Sequence, residues 1–237
     1  MDFITIKSDI SSEIVERKSK FIANLIKVEN REEAEEKIKE IKKKYYDARH
    51  NCVAYRIVEK DSLIEKASDD GEPSGTAGGP MLNILRNQNL ANILVVVTRY
   101  FGGILLGTGG LVRAYSDATI KAINSADKVK KVMGIEFQIS MEYSQLENFK
   151  YYCQKNKFNI LNTQYSEDIV CNLTMEEDLK DKFIEDFETK KINLKEIKIL
   201  DKKIIDKSIW FFVFYKIKWK KFTIFLNSLE LESIMQL

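Results

Sequence analysis

Proline, cysteine and histidine are nearly absent from this chain of 237 residues, with 2, 3 and 1 copies, and neither charge sign is in excess, at 38 basic against 36 acidic side chains. Each shortage excludes something. Cys52, Cys153 and Cys171 are odd in number, widely spaced and lack a C-x-x-C pair, which rules out a disulfide framework and a cysteine zinc site and fits a reducing cytosol. The first twenty residues carry charges throughout and no apolar core, so they are not a secretory signal, and the expected localisation is cytoplasmic. The aromatic stretch Ile209 to Tyr215 is too short to span a bilayer, and Lys216, Lys218, Lys220 and Lys221 interrupt its extension, so no stable membrane insertion is expected. With a net charge of only +2, any nucleic-acid-binding surface would have to be local.

What is present is globular composition, 44% apolar and 31% charged, which excludes disorder and collagen-like structure. The length accommodates one or two domains whose cores need no disulfide or metal. Nine of the ten glycines lie between Gly71 and Gly110, together with both prolines, Pro73 and Pro80. Glycine is used where backbone takes positive φ or approaches something closely. The unusual chemistry is therefore expected at 69–80 and 99–113.

Along the chain, Phe21 to Val28 reads as a strand, and Asn30 with Glu33 opens a helix that Lys42, Lys43 and Lys44 close, as the helix dipole favours. His50 to Val58 reads as a buried strand with His50, Cys52 and Ala54 on one face. Thr76 to Asn87 suits a short helix, and Asn92 to Thr98 is the most strand-like run. Leu111 to Asn124 is helical, with Leu111, Ala114, Tyr115, Ala118 and Ala122 inward. From Lys130 the pattern becomes strand, helix, strand, strand, helix, strand, a ferredoxin-like βαββαβ order, its helices opened by Ser144-x-x-Glu147 and Thr174-x-x-Glu177. The expected division is 1–127, 128–201 and an aromatic, basic extension, 202–237. The whole is α+β.

The first loop, Asp69 to Pro80, offers Asp69, Asp70, Gly71, Glu72, Ser74, Gly75, Thr76 and Gly78. The second, Arg99 to Arg113, offers Arg99, Tyr100, Gly102, Gly103, Gly107, Gly109, Gly110 and Arg113. Gly102-x4-Gly107 has P-loop glycine spacing, but Thr108 stands where the lysine is required, and Val112 breaks a dinucleotide fingerprint. A glycine-rich turn entering a helix N-terminus is still a natural anion site, flanked here by two arginines that can fork a phosphate and by Tyr100 and Phe101 as stacking surface for a base. The competing reading has Arg113 paired with Asp117 and the glycines serving helix–sheet packing. Asp69, Asp70 and Glu72 could ligate Mg²⁺ or pair with the arginines, and their spacing matches no EF-hand. Ser74 with His50 and an aspartate has the residue types of a triad but no nucleophile elbow. His50 and Cys52 share a strand face, yet a buried histidine bonded into the acidic loop and a core cysteine explain both.

Ala48-x-His50-Asn-Cys-x-Ala-Tyr55, Asp-Asp-Gly-Glu-Pro-x-Gly-Thr-Ala-Gly-x-Pro from Asp69 and Arg-Tyr-Phe-Gly-Gly-x-x-Leu-Gly-x-Gly-Gly-Leu-x-Arg-Ala-Tyr from Arg99 resemble the IMPACT family in its bacterial YigZ-type form, over residues 1–201. The resemblance implies an N-terminal domain like domain 2 of ribosomal protein S5 and a ferredoxin-like C-terminal domain. It also implies similarity to domains of a translocation factor that contact ribosomal RNA. Eukaryotic members regulate translation initiation by competing for the activator of an initiation-factor kinase, a competition not carried over to a bacterial-type chain. The expected function is a translation-linked regulatory protein, non-catalytic and without cofactor, that binds RNA, the ribosome or a translation factor through the glycine-rich loop. The alternatives are a small-molecule or nucleotide-binding enzyme using His50 and the acidic loop with Mg²⁺, and a protein-interaction module.

Overall fold

The computed structural model describes residues 2–59 and 62–207, so the extension beyond Lys207 and what was expected of it lie outside the described residues. The chain divides into two compact units, Met1–Lys131 and Val132–Leu237.

In the first unit, β2 (Ile10–Glu16), β3 (Ser19–Lys27), β6 (Ile93–Tyr100), β4 (His50–Glu59) and β5 (Ser62–Ser68) form one antiparallel sheet in the order β2-β3-β6-β4-β5. The two central strands β6 and β4 are buried on both faces, which explains their near-continuous apolar runs. One face carries Phe21, Ala23, Leu25, Cys52, Ala54, Val95 and Val97. It packs under α2 (Gly78–Asn87) and α3 (Gly107–Ser125) through Met81, Leu85, Leu111, Tyr115 and Ala118. On the other face Val53, Tyr55, Ile57, Leu94 and Val96 meet Ala34, Ile38 and Ile41 of α1 (Arg31–Lys44). Asn30 caps α1 by accepting from the Glu33 N–H at 2.8 Å, while the Glu33 carboxylate reaches back to the Glu29 N–H, one residue earlier than a reciprocal box requires.

The remaining strand of this unit, β1 (Phe3–Ile6), pairs antiparallel with Lys128–Lys131, the start of β7 (Lys128–Met141).

The second unit runs β7, α4 (Leu146–Asn156), β8 (Asn159–Tyr165), β9 (Ile169–Glu176), α5 (Lys180–Glu188) and β10 (Glu196–Asp206), with sheet order β10-β7-β9-β8. That connectivity and order are ferredoxin-like, and the molecule is α+β throughout. Phe137, Phe149, Phe158 and Phe183 centre its core. β10 includes residues 202–206, the first five that the sequence assigns to the extension. Neither expected capping box forms. Thr174 is buried inside β9, and α4 is preceded by a single 3-10 turn capped by Glu142 with Gln145. No helix among the described residues is long and apolar enough to cross a membrane.

Candidate functional site

The two singled-out loops meet at the C-terminal end of β6 and the N-terminal end of β4, where His50 pairs with Arg99 across the sheet. The acidic loop is wound inward. The carboxylate of Asp69 accepts from the backbone N–H groups of Gly75 at 2.8 Å, Ala77 at 3.0 Å and Gly78 at 2.8 Å. It thereby supplies the negative charge that the first turn of α2 lacks in its own sequence. Burial pushes this carboxyl up, and the three backbone donors more than offset that, so it titrates below the ordinary aspartate range.

A depressed folded pKa contributes stability that is complete above the unfolded value, near 4, and is lost as pH falls through the folded value. Asp69→Asn is accordingly expected to flatten the acid limb of a plot of urea midpoint against pH below about pH 4. An acid limb identical to that of the parent would mean the carboxylate is not held by these donors.

Asp70, at φ 44°, accepts from the Asn51 N–H at 2.7 Å and from Lys42 Nζ at 2.6 Å, and its carbonyl takes the bond from His50 Nδ1 at 2.9 Å. Because a carbonyl only accepts, that bond fixes the proton on Nδ1. The other ring nitrogen, Nε2, lies 4.0 Å from Glu72 Oε1. Glu72 is buried, and the same oxygen accepts from Arg99 Nη1 at 2.7 Å and from the Tyr115 hydroxyl at 2.8 Å. Thr76 closes the loop by donating to the Pro73 carbonyl at 2.7 Å.

Cys52 donates from Sγ to the Asp69 carbonyl at 2.9 Å, and burial pushes its thiol up to about 12, so it is a protonated core residue at neutral pH. Burial, followed by the neighbouring Cys52 and Glu72, likewise pushes the Tyr115 phenol far up and keeps it a donor. Ser74 is exposed and is not hydrogen-bonded to His50, so no triad is assembled. Among the described residues no three His, Cys, Asp or Glu side chains are grouped to hold a metal ion.

In the second loop, Arg99 is not an open cation. It is only 6% exposed, joined to Glu72, with Nε buried and without a hydrogen-bond partner. Its guanidinium carbon lies 5.5 Å from the Phe21 ring centroid and 5.6 Å from that of Phe101, and the Tyr115 ring meets Phe21 edge-on at 5.1 Å. Tyr100 donates its hydroxyl to Asp47 at 2.7 Å, and that bond to a carboxylate holds the phenol up at about 12.

α3 begins at Gly107, four residues before the expected start, so Gly107, Gly109 and Gly110 form its first turn. That turn has no side-chain cap, and nothing would meet a Cβ on Gly103, Gly107 or Gly109. Gly107 sits at φ +71°, where a side chain is strained. Gly102 is different. A Cβ there would lie 2.0 Å from the carbonyl carbon of Lys18, which places the β2–β3 turn directly against this loop.

Arg113 is exposed and makes no ion pair among the described residues, with Asp117 or any other. The same holds of Lys18 in the adjoining turn and of Arg49 immediately before β4. Sequence reasoning passed over these two. The signal for Arg49 was its place beside His50, and for Lys18 there was none.

Comparison with known proteins agrees with this architecture. The Impact N-terminal domain matches residues 17–123, within the first unit, and a domain of unknown function, DUF1949, matches 139–188, within the second. The chain is 41% identical over 183 residues to the IMPACT family member YvyE of Bacillus subtilis, covering 77% of this chain and 84% of that protein. It is 38% identical over 150 residues to the IMPACT family member YigZ of Escherichia coli, covering 63% and 74%. A crystal structure described as that of a hypothetical protein shares 30% identity and covers 84% of this chain and 98% of its own, with a TM-score of 0.55.

Proposed function

Because this chain belongs to the IMPACT family, we propose that it acts in the regulation of translation, by binding a phosphate-bearing partner, RNA or the ribosome, at the turn where β6 enters α3. One observation carries this reading: at this end of the sheet four acids are engaged, while three exposed cations make no ion pair among the described residues. Asp69, Asp70, Glu72 and Asp47 each accept a hydrogen bond from the protein, whereas Lys18, Arg49 and Arg113 stand exposed without ion-pair partners among the described residues. The loop that meets Lys18 at Gly102 leads into an uncapped, glycine-lined helix N-terminus, whose first N–H groups have no intrahelical acceptor and whose dipole end is positive. The positive surface is local, as a chain of net charge +2 requires.

Arg99 serves this surface from beneath, as support, and Arg113 is the residue to test. The full chain is expected to co-sediment with purified ribosomes in a salt-sensitive way. Arg113→Ala should weaken binding several-fold and lower the slope of log affinity against log salt by about one, as expected for one lost phosphate contact. An unchanged slope would remove Arg113 from the interface, and no co-sedimentation at low salt would remove the ribosome.

A further inference from the structure

The group of rings around Arg99 reaches the surface at Phe101, the most exposed ring of the group. Phe101 is 54% exposed, directly follows β6 and precedes the Gly102-Gly103 turn, yet its inner face is held against a buried guanidinium 5.6 Å from the ring centroid. That guanidinium is fixed in turn by Glu72 and packed against the Phe21 ring, 5.5 Å away. An exposed aromatic ring normally loses side-chain entropy on binding, but a ring already backed by a rigid plane has lost part of it in advance. Stacked cations and aromatics of this kind are the surfaces on which unpaired bases extend the pile.

We infer that Phe101 is a stacking platform for an unpaired nucleobase, so that the partner of this site is single-stranded nucleic acid, its phosphate held by the α3 N-terminus and Arg113. The inference rests on the phosphate-recognition reading above and narrows it from RNA in general to an unstacked nucleotide. Of the two aromatics that the sequence offers for this task, Tyr100 is bound through its hydroxyl to Asp47, whereas Phe101 is a plain ring, more than half exposed. A duplex offers phosphates but no free base face, so it would satisfy Arg113 and leave Phe101 idle.

The experiment measures fluorescence-polarisation affinities of the full chain for a labelled single-stranded RNA of mixed sequence and for the same RNA annealed to its complement. The parent is expected to prefer the single strand. Phe101→Ala should weaken single-strand binding about 5- to 100-fold, the range for one base–aromatic stack, and leave duplex binding unchanged. Phe101→Trp should retain the preference and Phe101→Leu, equally apolar but without a π face, should not. Equal binding of single strand and duplex by the parent, or equal binding by the Leu and Trp variants, overturns the stacking inference while leaving phosphate recognition standing. Binding of neither RNA overturns both, and then the exposed apolar tip of Phe101, Ile104 and Leu105 is a protein-contact surface.

Discussion

Glu72→Ala is expected to lower unfolding stability by about 3 to 5 kcal/mol, the cost of stranding one partner of a buried ion pair. Both side chains of the pair are almost wholly inaccessible, at 7% exposure for Arg99 and 3% for Glu72, and among the described residues Glu72, at 2.7 Å, is the one carboxylate paired with the Arg99 guanidinium. Its Nε is already without a hydrogen bond, so loss of the carboxylate leaves an unpaired cation buried beside Phe21 and Phe101. The Tyr115 hydroxyl loses its acceptor in the same step. Urea unfolding monitored by circular dichroism reads the effect. The double variant Glu72→Leu with Arg99→Met should be markedly less damaged than Glu72→Ala, because two apolar groups replace both charges. If Glu72→Ala melts within about 1 kcal/mol of the parent, the scale of an exposed pair, the pair is not what holds the two loops together.

The same network shows where the sequence was legible and where it was not. Periodicity located the buried strands β4 and β6 and the inner face of α3, including Tyr115, because those segments obey a single local rule over seven or more residues. β2 and β5 escaped it. They are the sheet's edges, short and half-exposed, and Ser, Glu and Lys interrupt their alternation.

The capping-box pattern at Thr174 failed because the strand β9 runs on to Glu176, where pairing with β7 outweighs a local helix-start signal. At the site, glycine content marked both loops correctly as places of special backbone, but it carried no information on which charges face inward. Pairing of the loop acids with the arginines is among the readings the sequence allows, but that Glu72 alone of the three meets Arg99, 27 residues later on another strand, and is buried with it, depends on the fold. Likewise the sequence offers Tyr100 and Phe101 alike as stacking surface, and what separates them, the Tyr100 bond to Asp47 and the Arg99 guanidinium against Phe101, depends on contacts made by the fold.

Gly102→Ala should be nearly as damaging as loss of Glu72, at about 3 kcal/mol, the upper end of the usual cost of overpacking. An added Cβ would stand 2.0 Å from the Lys18 carbonyl carbon, 2.1 Å from its oxygen and 2.4 Å from the Ser19 nitrogen, all backbone atoms that no rotamer change can move aside. Relief requires the β2–β3 turn to separate from the end of β6. That separation strains the Lys20↔Tyr100 register and breaks the bond from the Gly102 N–H to Ser19 Oγ at 3.2 Å. A glycine in the first turn of α3 provides the control. At Gly109 an added Cβ would meet nothing within 4 Å, and the backbone there has no positive φ, so Gly109→Ala should stabilise the protein by up to about 1 kcal/mol through helix propensity. Paired urea melts of the two variants therefore move in opposite directions. If Gly102→Ala were instead as benign as Gly109→Ala, Lys18 and the second loop would not be in contact. Lys18 would then drop out of the cationic rim on which phosphate recognition depends, leaving Arg49 and Arg113 to carry it.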